Sequence, residues 1–350
     1  MNLRPSRLEP IFSPRPWGAK SLAPYFPEKS NLADPLGEAW LTGSESKFAD
    51  GAFAGKTLGE VWPSFPIEWT GTRVHREGAF PVLVKFIFSE DKLSLQVHPD
   101  DAYAEVHEQS AGGRGKTEMW YAVSARAGAE VLAGLKPDVT RESFKRAIED
   151  GTAEDCLVHV PMNAGDAIFI PAGTVHTIGA GLVLCEIQQL SDITYRVFDY
   201  NRRDAHGHTR ELHIDKALAV SKFGEPSPGK IAPLNITSGA VTKTFFATCP
   251  YFATEKWDFS NPIDAATKPE HFELLIILDG EGSVAASGET IPYARAHTFL
   301  LPAALGNFTI APSSPTSLLR TYVPDGPAEF TASLAAAGID SATIAKLVHP

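Results

Sequence analysis

The sequence predicts a mainly β protein made of two barrels of the jelly-roll kind, with a few short helices added. Three observations carry that prediction. Between 93 and 123, two strand-like runs hold polar side chains inside otherwise apolar sequence, Gln96 and His98 in LSLQVH and Glu118 in TEMWYAV. From 165 to 181, GDAIFIPAGTVHTIGAG reads as a Gly turn, an apolar strand, a Pro and Gly turn, and then His176 opening another strand. Beyond 230, short apolar runs recur with Gly, Pro and Asn between them, the spacing of a second sandwich or barrel.

Taken in order, residues 1–80 are rich in Pro, Gly and aromatic residues, with a helix expected over 56–62 and strands near 39–42 and 80–87. The spacing of Tyr103 and Val106 predicts a short helix over 101–109, followed by the Gly-rich loop SAGGRG. RESFKRAIED, 141–150, places Phe144, Ala147 and Ile148 at helical spacing, with Thr140 as N-cap and Gly151 past the end. A helix over 211–223 leads into the linker GEPSPGK, which divides the chain into 1–223 and 224–350. In the second part strands are expected in TKTFFAT, YFATEKW, FELLIILDGEG, SVAASG, HTFLLPA and SLLRTYV, and two short helices in the Ala-rich tail from 328.

The chain has 350 residues, 43% of them apolar, which suffices for a large core. It carries 31 basic and 42 acidic residues, a net charge of −11, which argues against nucleic acid or an anionic membrane as partner. The N-terminal stretch has no apolar run of signal-peptide length and no later segment has the length of a membrane span, so the expected location is the cytoplasm. Cys156, Cys185 and Cys249 form no CxxC pair and read as reduced, buried thiols.

Side chains alternate along a strand, so Gln96 and His98 share one face while Leu95 and Val97 take the other. If the two polar-bearing segments are hairpins that face each other, Gln96, His98, Glu118 and His176 converge. Two imidazoles, a carboxylate and an amide oxygen suit a borderline divalent metal such as zinc. His107, His159, His206, His208 and His213 have no partner at ligand spacing and read as surface or packing residues.

The run from Gly165 to His176 fits the second cupin motif, and Gln-x-His followed by Glu resembles the first, with Gln96 in place of its usual first His. Together with LSLQVHPDD (93–101), GKTEMWY (115–121), IPAGTVHTIG (170–179), SDITYRVFDY (191–200) and RELHIDKAL (210–218), these segments resemble the type I mannose-6-phosphate isomerases, or phosphomannose isomerases, of the short bacterial kind. Weaker echoes lie in RPWGAKSL, GEAW and AGKTLGEVW between 15 and 62. The second half resembles a cupin that has lost its site, since PAALGN at 302–307 stands where the first half has PAGTVH.

The resemblance implies a zinc-dependent aldose-ketose isomerase acting on a sugar phosphate, with one Zn2+ per chain. Its anionic substrate must then meet locally clustered positive charge on an acidic protein. Arg196 matches the arginine the family uses in catalysis, and guanidinium can stabilise an oxyanion without titrating. Lys116 matches a pocket lysine, and Lys85 and Ser94 match residues near the phosphate. Arg114, in the Gly-rich loop, is added on charge alone. Asp192 joins the substrate site, with its role open between proton transfer and pairing with Arg196; a water at the metal and a pocket histidine are the other candidates for the base, and a liganded Glu118 is a poor one. Two readings keep the fold and change the function: an iron or manganese dioxygenase, which usually needs His where Gln96 stands, and a non-catalytic sugar-phosphate-binding cupin.

Overall fold

The computed structural model describes residues 3–74, 78–203 and 207–350, and in it the protein is mainly β with a few short helices. His206 lies outside the described residues.

Two sheets hold most of the first part. A six-stranded sheet runs in the order Ile11–Ala19, Leu36–Trp40, Val82–Ser89, Leu182–Gln189, Glu118–Ala125, Ala167–Ile170. A five-stranded sheet runs Tyr195–Phe198, Leu95–Val97, His176–Ile178, Glu130–Leu135, Leu157–Pro161. Their facing sides share a core in which Trp120, Ile168 and Leu184 of the larger sheet meet Val131, Val160 and Ile178 of the smaller. The outer face of the five-stranded sheet, with Leu95, Val97 and Val197, packs on helix residues Ala104, Phe144, Ile148, Ala217 and Leu218.

The second part repeats the arrangement with a seven-stranded and a four-stranded sheet, whose facing sides bury Trp257, Ile277 and Leu318 against Val284, Phe308 and Ile310. The two parts meet through the outer faces of their larger sheets. Val84, Phe86, Met119 and Ile187 of the six-stranded sheet share one core with Phe246, Leu274, Ile276 and Leu319 of the seven-stranded sheet. Strict alternation produces this: in the run from Val82 to Phe88, the even-numbered Val84, Phe86 and Phe88 face that core, and the odd-numbered Lys85 and Ile87 face the gap between sheets.

One strand crosses the division. Ser6–Leu8 pairs antiparallel with Thr298–Leu301, so the start of the chain edges the sheet of the second part.

The expected helices form with shorter bounds: Leu58–Val61, closed by a Thr57/Glu60 capping box, Asp101–His107, Arg141–Glu149 with Thr140 as N-cap, and Ile214–Val220. The tail forms Pro327–Ala336 and Ser341–Ala345, which seat Phe330, Leu334 and Ile344 against Phe245 and Tyr322. Among the described residues no helix is long and apolar enough to cross a membrane.

Candidate active site

Three side chains stand in a row across the five-stranded sheet. Gln96 is paired in register with His176 on one side and Arg196 on the other. Residues directly opposite in an antiparallel pair project to the same face, here the gap between sheets. His98 follows two residues after Gln96 and joins that face, while Leu95 and Val97 enter the helix layer. Glu118 opens a strand of the opposite sheet, in phase with Trp120 and Ala122, which face the same gap.

The hairpins expected from spacing do not form. Ala167–Ile170 pairs with the strand of Glu118, whereas His176–Ile178 belongs to the other sheet, between the strands of Gln96 and Ala133. The turn between them is a corner that crosses the gap. Gly173 makes it possible: its φ is +84°, a Cβ there would meet the Val220 carbonyl at 2.8 Å, and its N–H donates to the His98 carbonyl at 2.8 Å. Likewise Gln96 and Glu118 lie on different sheets, so the cluster is assembled across the sandwich and not along one ribbon.

His98, Glu118 and His176 each offer one ligand atom, all within 4.8 Å of one another, and all three side chains are buried. Each imidazole sets its Nδ1 against a backbone carbonyl, His98 on Ile193 at 2.7 Å and His176 on Thr174 at 2.9 Å. Nδ1 therefore carries the proton, and the Nε2 lone pairs turn toward Glu118, at 3.4 and 3.9 Å. The Gln96 side-chain nitrogen lies 3.3 Å from His176 Nε2, and its oxygen accepts from Ser94 Oγ at 3.4 Å.

Electrostatics shows what this arrangement wants. Glu118 is completely buried; the Lys116 ammonium lies 2.7 Å from its Oε1, and Oε2 has no hydrogen-bond partner. Burial pushes the Glu118 carboxyl upward, and Lys116 and His98 overcome this and hold it well below the ordinary range. Burial, with Lys116 adding to it, lowers His98, and burial with His98 beside it takes His176 down to about 3. Two neutral imidazoles and a buried carboxylate with one oxygen unpartnered fit a borderline divalent cation.

A cleft of about 460 Å³ reaches this cluster's neighbours Gln96 and Lys116, and Lys85, Ser94, Asp192 and Arg196 line it with them. Lys85 is buried, 3.6 Å from Glu186 and 3.5 Å from Asp192, and lies over the Trp40 ring. Asp192 thus pairs with Lys85 and not, as its spacing suggested, with Arg196. Arg196 has no carboxylate within ion-pair distance among the described residues; its Nη1 donates to the Glu211 carbonyl at 2.9 Å, and its buried Nε has no partner. Arg114 lies elsewhere: its side chain lines a separate pocket where the two parts of the chain meet, and its carbonyl accepts from Ser191 Oγ. A position in a loop gave no direction for its side chain, so charge alone misplaced it.

Sequence reasoning missed four charged cleft residues. Glu186 accepts from the Trp120 indole at 3.0 Å, and burial, reinforced by Glu118, raises its carboxyl to about 7. It sits in LVLCEIQQ, a polar residue in an apolar strand, the same signal that singled out Glu118. Arg15 pairs with Glu38 at 2.9 Å, and Arg210 grips Asp199 with two nitrogens. Arg15 and Arg210 stand in stretches already noted for their resemblance, RPWGAKSL and RELHIDKAL, and Glu38 in GEAW.

Residues 6–129 match the family model of the phosphomannose isomerase type I catalytic domain, and residues 242–322 match that of the mannose-6-phosphate isomerase cupin domain. The mannose-6-phosphate isomerase ManA of Bacillus subtilis is 34% identical over 316 residues, covering 89% of this chain and 96% of that protein. The chain belongs to the type I phosphomannose isomerases. A mannose-6-phosphate isomerase of Streptococcus mutans is 33% identical over 274 residues, 77% of this chain and 84% of its own. The crystal structure of the Bacillus subtilis mannose 6-phosphate isomerase superposes with a TM-score of 0.82 at 30% identity, over 91% of this chain and 99% of that one.

Proposed function

We propose that this phosphomannose isomerase interconverts mannose 6-phosphate and fructose 6-phosphate through an enediolate, with one zinc ion held by Gln96, His98, Glu118 and His176. The observation that carries the reading is the placement of Arg196 and Lys116 beside a buried His98–Glu118–His176 cluster, under a cleft rich in cations. When bound, the metal would supply Lewis acidity to the substrate carbonyl, and a single carboxylate among its ligands leaves the site a net charge of about +1, more than a second carboxylate would.

The chain's own residues account for the rest. Moving a proton between C2 and C1 asks for a group that titrates near neutrality, and Glu186, at about 7, has that property in the cleft. Glu118, held far below that range, is a poor base. Arg196 faces the negative charge that develops on the substrate oxygens, with paired donors that stay protonated, and Lys116 holds a substrate hydroxyl beside the metal. Lys85 and Ser94 take the phosphate, with Arg15 and Arg210 adding positive potential along the cleft. Asp192 keeps Lys85 in place until the phosphate arrives.

The same reading divides the chain into a catalytic cupin barrel, 1–223, and a degenerate one, 224–350, in which the PAALGN turn has no histidine to offer. It places the protein in the cytoplasm, in keeping with three free cysteines and a metabolic sugar phosphate as partner. The test is production of fructose 6-phosphate from mannose 6-phosphate, before and after chelation and with zinc restored, for wild type and His98→Ala. Activity lost to chelator, regained with zinc and absent in the variant is expected. No turnover by zinc-loaded wild type overturns the proposal.

A further inference from the structure

Lys116 and Glu118 stand on a segment that is pinned residue by residue, and one carboxylate gathers the pins. Asp101, the first residue of the helix Asp101–His107, accepts from Gly115 N at 2.7 Å and from the Gln189 amide at 2.9 Å on Oδ1, and from the Tyr251 hydroxyl at 2.6 Å on Oδ2. Gln189 in turn accepts from Thr117 N at 2.9 Å through its side-chain oxygen. Lys116 N donates to the Pro99 carbonyl at 3.0 Å, and Thr117 Oγ1 accepts from Ala172 N at 3.3 Å, in the corner that leads to His176. Gly115 passes so close to the helix start that a Cβ would meet the backbone of Asp100 and Asp101 at 2.5 Å.

Tyr251 belongs to the second part of the chain, 150 residues from Asp101. Through it the part without a metal cluster reaches the segment that carries a ligand and a pocket lysine.

We infer that Asp101 and Tyr251 are positioning residues, which fix the Lys116–Glu118 segment in register with the imidazoles of the opposite sheet. A carboxylate with both oxygens filled by three donors from three different segments defines their relative positions; an amide in its place turns an N–H toward one of those donors and breaks the set. Small displacements of groups around a metal and a reacting carbon are costly in rate. This inference rests on the proposed isomerase chemistry only for its kinetic readout.

The experiment compares Asp101→Asn and Tyr251→Phe with wild type, loaded with Co2+ for its visible absorption spectrum and with Zn2+ for kinetics. Asp101→Asn is expected to alter the Co2+ spectrum, to raise the metal dissociation constant about tenfold in chelator competition, and to lower kcat about tenfold with KM within twofold. Tyr251→Phe, which removes a single hydroxyl and keeps the ring, is expected to change the same quantities in the same direction by about threefold. A wild-type Co2+ spectrum and affinity in Tyr251→Phe overturns the inference, as does a loss of kcat that follows only the loss of Tm. If zinc-loaded wild type fails to isomerise the sugar phosphate, the proposed function falls, and the Co2+ comparison still decides the positioning role.

Discussion

Arg196 lies directly opposite Gln96 on adjacent antiparallel strands, and the same glutamine lies opposite His176 on the next. A neutral amide thus separates a fixed positive charge from the His98–Glu118–His176 cluster. Gln96→Glu is expected to tighten metal binding and to lower kcat at least tenfold, because a second carboxylate reduces the charge left for the carbonyl and draws the guanidinium toward itself. Chelator competition and steady-state kinetics on the zinc-loaded variant would show both changes; unchanged kcat would remove the metal from the chemistry proposed.

Arg196 itself is tied to a backbone carbonyl and to no carboxylate among the described residues, so its removal should spare the fold. Arg196→Ala is expected to reduce kcat about 100-fold, the usual scale for losing an oxyanion donor, with Tm within a few degrees of wild type. Arg196→Lys should recover only part of that, since one ammonium cannot offer paired donors.

Glu186 makes a pH-dependent prediction. Its carboxyl is raised in the folded state from an ordinary 4.5 to about 7, so between those values the folded chain holds a proton that the unfolded chain has released. Stability therefore falls as pH rises through that window. Metal-free Glu186→Gln should melt higher than wild type at pH 8 and show a much smaller difference at pH 5, while the zinc-loaded variant should lose kcat at every pH. A constant Tm difference across the range would show that Glu186 does not titrate there.

Glu118 and Lys116 form a buried ion pair with the opposite sign of pH response. The depressed Glu118 carboxyl contributes stability that is complete above its unfolded value of 4.5 and is lost as pH falls through its folded one. In metal-free protein Glu118→Gln leaves the Lys116 ammonium without its 2.7 Å partner, at a cost of about 3–5 kcal/mol. Denaturant unfolding of the chelated variant at pH 7 measures this, and a loss under 1 kcal/mol would mean that the ammonium finds water.

Much of the site was legible because strand alternation is a strong rule. It put Gln96 with His98 and placed both facing inward, and it would have found Glu186 by the same reasoning. Sheet membership was not legible: a Pro and Gly turn between two apolar strands reads the same whether the chain folds back on itself or crosses to the opposite sheet, and only packing against Val220 and His98 decides it. The partner of Asp192 was missed for a related reason. Arg196 is near it in sequence, but the strand of Lys85, 107 residues away, brings an ammonium to it through the sheet order. Arg15, Glu38 and Arg210 lie in segments whose resemblance was visible while their direction was not.

The pairing of Ser6–Leu8 with Thr298–Leu301 bears on how the molecule is made. Arg7 meets His297 across 290 residues of sequence, so this strand, bridged locally through Leu8 to Phe48, gains its sheet partner only when the chain has reached Thr298–Leu301. A chain cut before Thr298 keeps the sheets that carry the cluster but lacks both strands that flank Glu273–Asp279, and such open edges recruit other chains. The pairing of Ser6–Leu8 with Thr298–Leu301 is a long-range, slow event in the sense of contact order. A chain truncated before its final strands is therefore a candidate for aggregation even when every residue of the active site has been synthesised.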